Sequence, residues 1–123
     1  MVRATGGLDD TVENYDAAKG TGTGFKLRLL SEDALVGTVA WAVDTYRHHP
    51  ADFRAMQVRA ILEAAADVAA DGVSVIPEIM IPLAMTREEL VRMRSIVDRV
   101  AADVFANRPR VPFAFGTMIE LPR

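Results

Sequence analysis

The chain contains no cysteine. Disulfides, thiol nucleophiles and Cys-ligated metal centres are therefore excluded. A basic surplus is missing too: 14 lysines and arginines stand against 17 aspartates and glutamates, for a formal net charge of −3. The two signs are interspersed, so no basic stripe offers itself to nucleic acid or to an anionic membrane. No apolar run reaches the roughly 18 residues of a membrane span. The opening MVRATGG has no apolar stretch behind it and does not read as a secretory signal. These absences leave a cytoplasmic protein by default. Its 123 residues suit one domain with a modest core. Half of them are hydrophobic and a quarter charged, the balance of a globular protein.

Five of the eight glycines fall in residues 1–24. Val2–Ala4 suits a very short strand, and Asp16–Gly24 reads as a solvated loop with turn residues and no apolar period. Phe25, Leu27 and Leu29 alternate with Lys26 and Arg28, as on a short half-buried strand. Ser31 is an N-cap, with Glu32 and Asp33 at the positive end of the following helix. Leu35, Val39, Ala42, Val43 and Tyr46 give that helix its apolar stripe, and it stops near His48-His49. Pro50 opens a second helix, where its missing N–H costs nothing. Phe53, Met56, Ala60, Ile61, Ala64 and Val68 form its stripe, and Gly72 its left-handed cap.

Val73–Leu83 reads as a strand buried on both faces, at least from Ile79 onward. Thr86-Arg87-Glu88-Glu89 is a capping box, and Leu90, Met93, Val97, Val100 and Val104 carry the period of a third helix. Val111–Ile119 supplies the last strand. The expected fold is α/β: a small, mainly parallel sheet with three helices, joined by crossovers.

Two resemblances divide this chain. VRATGGLDDTVENYD, GTGF and DTYRHHPADFRAMQ, over residues 1–59, resemble the C-terminal Rossmann-like domain of bacterial glycogen and starch synthases. AMQVRAILEAA, PEIMIPLAMTREEL and VPFAFGTMIELPR, over residues 50–123, resemble the phosphoenolpyruvate-binding (β/α) barrel of pyruvate phosphate dikinase. The two overlap in the helix around Ala51–Ile61. Together they describe a chimera: a Rossmann-like half joined to a partial barrel within one α/β domain of residues 1–123.

Each resemblance implies a site. In the synthases the turn matching Thr5-Gly6-Gly7 lies beside the phosphates of a nucleotide sugar, and glycines do let backbone N–H groups approach an anion. The plainer reading is that Gly6-Gly7 only turns the chain, and it is favoured because isolated glycine motifs match so often by chance. In the dikinases the glutamate matching Glu120 is a ligand of the magnesium that holds phosphoenolpyruvate. A lone carboxylate would leave Mg²⁺ mostly hydrated, so a solvated side chain is the favoured alternative. His48 and His49 point about 100° apart on a helix and do not form a metal pair. Glu78 marks a strand mouth or pairs with an arginine. Met56, Met80, Met85, Met93 and Met118 sit at core-type positions. Arg87, Arg92, Arg94 and Arg99 share a polar helix face. Trp41 packs against the sheet or a partner chain.

The expectation from these readings is an α/β scaffold with no native catalysis and no bound cofactor, Mg²⁺ at Glu120 being the one possible exception. The alternatives are a weak phosphate or phosphoenolpyruvate–Mg²⁺ binding module and a remnant of a nucleotide-sugar glycosyltransferase. No nucleic-acid or membrane partner is expected. A homodimer is, because a partial barrel leaves strand edges unpaired, above all along Val111–Ile119, with Trp41 or Phe115 near the contact.

Overall fold

The computed structural model describes residues 1–120. Its elements run β1 (Val2–Arg3), α1 (Gly7–Thr11), β2 (Lys26–Leu27), α2 (Glu32–His48), α3 (Pro50–Ala70), β3 (Glu78–Ile81), α4 (Arg87–Val104) and β4 (Ala114–Thr117). The class is α/β and every named strand pairing is parallel. The strands form two separate pairs, β1 with β2 and β3 with β4, where one small sheet was expected. Contacts divide the chain into two compact units, Met1–Gln57 and Val58–Arg123. The strand pairs fall one to each unit.

In the first unit, Val2 aligns with Lys26 and Arg3 with Leu27. The predicted strand at Phe25–Leu29 is cut to two residues because β1 offers only two to pair with. The five-residue α1 was not expected. It starts after Gly6, whose φ of 52° is a left-handed turn that glycine adopts without strain. The glycine-rich loop is less open than its composition suggests. It is tied by bridges between Asn14 and Gly24 and between Asp16 and Thr21. Gly22 sits at φ 114°, and a Cβ there would lie 2.6 Å from the Asn14 carbonyl oxygen. Only glycine fits.

The core of this unit is Tyr15, Phe25 and Met56, with Trp41, Ala42 and Phe53 against it. Trp41 meets Phe25 edge-on at 4.9 Å between ring centres. That contact selects the buried face of α2 and corrects the expected one. Thr45 is buried and Ala34, Thr38, Trp41 and Ala42 are half-buried, while Leu35, Val39, Val43 and Tyr46 are exposed. The expected N-cap holds: the Ser31 hydroxyl accepts the Ala34 N–H at 3.2 Å. Tyr15 donates its phenol hydrogen to Asp52 at 2.9 Å, at the start of α3.

In the second unit, Leu62, Ala65 and Ala66 of α3 are buried, and Ala65 and Ala66 cluster with Val111. The predicted stripe of α3 is out of phase in part, since Ile61 and Val68 are exposed. Gly72 takes φ 83°, as a left-handed cap requires. Helix α4 follows the sequence closely. Its capping box is present, and Val97, Val100, Ala101 and Val104 are buried.

Strands β3 and β4 align Glu78 with Ala114 through Ile81 with Thr117. The expectation of a strand covered on both faces is corrected here. Ile79 is buried but Met80 is exposed, because a two-stranded pair is covered on one face only. Met85 and Met118 are exposed for the same lack of cover. Arg59 pairs with Glu63 and Asp103, and Arg108 with Asp67.

Candidate functional site

The carboxyl ends of two parallel strands build the most site-like region. Ile81 and Thr117 end β3 and β4 side by side. The Thr117 hydroxyl donates to the Ile81 carbonyl at 2.7 Å and closes the strand ends. Beyond them the chain opens a cleft of about 840 Å³, lined by residues 84–88 and Leu90 on one side and by 117–120 on the other. In open α/β sheets and barrels, ligands bind at this end, outside the carboxyl termini of the strands.

Glu120 lies in this cleft, and one of its carboxylate oxygens accepts the Leu83 N–H at 2.8 Å. Leu83 has a φ of 54° and is the one non-glycine with positive φ among the described residues. A bulky side chain in that region is strained, and such strain gathers where a site demands a set geometry. Sequence reading missed Leu83, because its role is carried by a backbone N–H and a turn of unusual sign. Thr117 was missed as well, although a threonine closing an apolar strand is a readable signal for a hydroxyl at a strand mouth.

The opposite wall is the start of α4. The Thr86 hydroxyl accepts the Glu89 N–H at 3.2 Å. The Glu89 carboxylate accepts the N–H of Met85 at 2.8 Å and that of Thr86 at 3.0 Å. Those two hydrogen bonds hold its carboxyl below the usual carboxylate range. The positive end of the helix dipole faces the same opening. The cleft thus joins two carboxylates, Glu88 and Glu120, with the cation of Arg87 and a helix start.

The other candidates lie elsewhere. Thr5, Gly6 and Gly7 form the exposed turn between β1 and α1, with Asp9 and Asp10 in the first turn of that helix. Two acidic residues in so short a helix do not favour an anion there. Lys26 is engaged by the Asp9 carbonyl and carboxylate at 2.8 and 2.9 Å. His48 bonds to Asp44 at 2.8 Å, while His49 lies 3.9 Å from Asp52. Burial and the bond to Asp52 push the Tyr15 phenol up to about 12, so it stays a proton donor. Arg94 is held by Asp98 and lies 5.4 Å over the Phe115 ring. Among the described residues no group of three His, Asp or Glu side chains converges on one point. Leu121, Pro122 and Arg123, the end of the GTMIELPR motif, lie outside the described residues.

Comparison with known proteins bears on this cleft. The family described as PEP-utilising enzyme, PEP-binding domain, matches residues 38–123. The chain belongs to this family. The match begins inside α2, earlier than the expected boundary near residue 50. Pyruvate, phosphate dikinase of Giardia intestinalis is 55% identical over 69 residues, which is 55% of this chain and 8% of that protein. The chloroplastic pyruvate, phosphate dikinase 1 of Arabidopsis thaliana is 51% identical over 69 residues, 55% of this chain and 7% of that protein. Glycogen synthase 1 of Geobacter metallireducens is 56% identical over 48 residues, 39% of this chain and 10% of that protein. The chain therefore spans no more than about a tenth of the length of these relatives.

Both resemblances read from the sequence are thus present, the synthase one in the N-terminal part, and a chain joined from two families fits them. The expectation of a scaffold without native function is corrected. The match over residues 38–123 and the dikinase relatives tie the chain to PEP-utilising enzymes. The expected carboxylate, Glu120, stands at the strand mouth, where it accepts the Leu83 N–H. No helix among the described residues is long and apolar enough to cross a membrane.

Proposed function

We propose that this chain contributes the phosphoenolpyruvate-binding region of a dikinase-type enzyme, with Mg²⁺ bound through Glu120. The observation that supports this most is the Glu120 carboxylate, fixed by the Leu83 N–H in the cleft beside the start of α4. The donor set suits the ion in kind. Mg²⁺ takes hard oxygens, keeps several waters, and is commonly held by one or two carboxylates together with substrate phosphate oxygens.

Glu120 would hold the ion, and the α4 start and Arg87, which line the same cleft, would supply positive charge for a phosphoryl group. Ala84, Met85 and Leu90 give the cleft an apolar wall. Magnesium would neutralise the phosphoryl charge when bound. Glu88 and Glu120 both line the cleft, but the proposal gives them no acid–base role, and turnover by this chain alone is not part of it. A cytoplasmic location goes with it.

The test is an NMR titration of the full chain with phosphoenolpyruvate, with and without Mg²⁺. Binding in the millimolar range, roughly −4 kcal/mol, is expected only with Mg²⁺. The shifts should centre on Leu83–Leu90 and Glu120 and be lost in Glu120→Gln. Equal binding without Mg²⁺, or by Glu120→Gln, overturns the assignment.

A further inference from the structure

Helix α2 docks on its own unit by its poorer face. The half-buried and buried positions are Ala34, Thr38, Trp41, Ala42 and Thr45. Both threonine hydroxyls are turned back onto the helix: Thr38 donates to the Ala34 carbonyl at 2.7 Å and Thr45 to the Trp41 carbonyl at 2.9 Å. The apolar stripe is left largely outside, its one ring contact among the described residues being Tyr46, which meets Phe53 of α3 edge-on at 5.5 Å. Leu35, Val36, Val39, Val43 and Tyr46 are all exposed, Val36 by 60% and Tyr46 by 63%. At about 100° per residue these five side chains fall within one arc of about 100°. Val36, Val39, Val43 and Tyr46 are spaced by three, four and three, the interval of a coiled-coil seam.

The seam is self-complementary when a second helix runs antiparallel. Val36 then faces Tyr46 of the copy, Val39 faces Val43, and a twofold axis passes at the level of residue 41. The ends are complementary in charge. Glu32 and Asp33 form the first turn of α2, and Arg47 and His48 the last. An antiparallel pair brings the acidic end of each helix beside the basic end of the other, and opposes the two helix dipoles favourably. A parallel pair would set like charges together at both ends.

We infer that α2 is the contact surface for a second copy of this chain, paired antiparallel about a twofold axis through the Val36–Tyr46 seam. A closed symmetric pair is the commonest way for a protein to cover such a stripe. The expectation from sequence had put the contact at the last strand. The proposal does not depend on phosphoenolpyruvate binding, because the seam and the cleft lie on different elements.

Light scattering coupled to size exclusion tests it on the full chain over a hundredfold dilution. A dimer that dissociates on dilution is expected. Val39→Glu should weaken it by about a hundredfold or more, since a charge would be desolvated at the seam. Its circular dichroism and melting should match the parent, because Val39 is exposed in the single chain. Glu32→Lys and Arg47→Glu should each weaken the dimer, and the double variant should regain it. A monomer at every concentration overturns the inference and means that something other than a second copy covers the stripe. A dimer indifferent to Val39→Glu also overturns it, and moves the contact to another surface such as β4. Failure of the double variant to recover overturns the antiparallel pairing.

Discussion

Val97→Asp is the sharpest test of the second unit's core. Val97 is fully buried on α4, near the buried Val100, Ala101 and Val104 of the same helix. Replacing valine forfeits about 1.5 kcal/mol of apolar burial. An aspartate there has no partner, and neutralising it at pH 7 from an ordinary pKa near 3.9 costs about 4 kcal/mol. The loss is then about 5.5 kcal/mol, comparable with the whole stability of a small domain. Val97→Ala removes only the burial and leaves a small cavity, for about 2 kcal/mol. Arg94→Ala is the control on the other face. Arg94 is about half exposed, paired with Asp98 and set over Phe115. Such a surface pair with a cation–π contact is worth about 1 kcal/mol or less. Urea unfolding of the three variants reads these differences. With a slope of about 1.5 kcal/mol per molar, Val97→Asp should move the midpoint by more than about 3 M or abolish folding. Equal midpoints for Val97→Asp and Arg94→Ala would refute the helical phase and the core built on it.

Gly22→Ala should destabilise the first unit by about 2–4 kcal/mol, since φ is positive and the new Cβ meets the Asn14 backbone; a thermal midpoint unchanged from the parent would contradict this. Thr86→Ala should cost about 1 kcal/mol through loss of the cap, read in the same urea assay. Glu89 is held below its usual range by the Met85 and Thr86 N–H groups. Its contribution is therefore present above the ordinary carboxylate pKa and lost as the pH falls through the depressed folded value. Glu89→Gln should flatten that part of the acid stability profile, and an unchanged profile argues against the shift. Neither glucan elongation nor pyruvate–phosphoenolpyruvate interconversion is expected from the chain alone. Turnover that survives repurification and disappears in Glu120→Ala would reverse that expectation.

Helix α4 was legible because everything that makes it is local. Thr86 and Glu89 cap it within one turn, and Leu90 to Val104 repeat within it. The phase of α2 was not legible. Two faces compete there, and the choice is made by the meeting of Trp41 with Phe25 in another element. The same holds for strand burial at Met80, which depends on what covers the second face. Glu120 was legible as a candidate through its motif. Its bond to Leu83 was not, because the partner is 37 residues away and offers only a main-chain hydrogen. Family membership supplied what physical chemistry alone did not, the tie to PEP-utilising enzymes.

Helix α3 runs unbroken from Pro50 to Ala70, across the division between the units at Gln57 and Val58. Its first eight residues give Phe53 and Met56 to one core, and its last thirteen give Leu62, Ala65 and Ala66 to the other. The division at Gln57 and Val58 therefore has a reading frame. Any splice that keeps the helical count preserves both sets of side chains, whatever the identities at the join. One inserted residue between Gln57 and Val58 would instead turn the phase of 58–70 by about 100° against 50–57. A protease faces the same constraint, because no cut separates the units without leaving two half-helices, each too short to persist alone in water. A helix used in this way is a tolerant place to exchange sequence and a poor place to divide the protein.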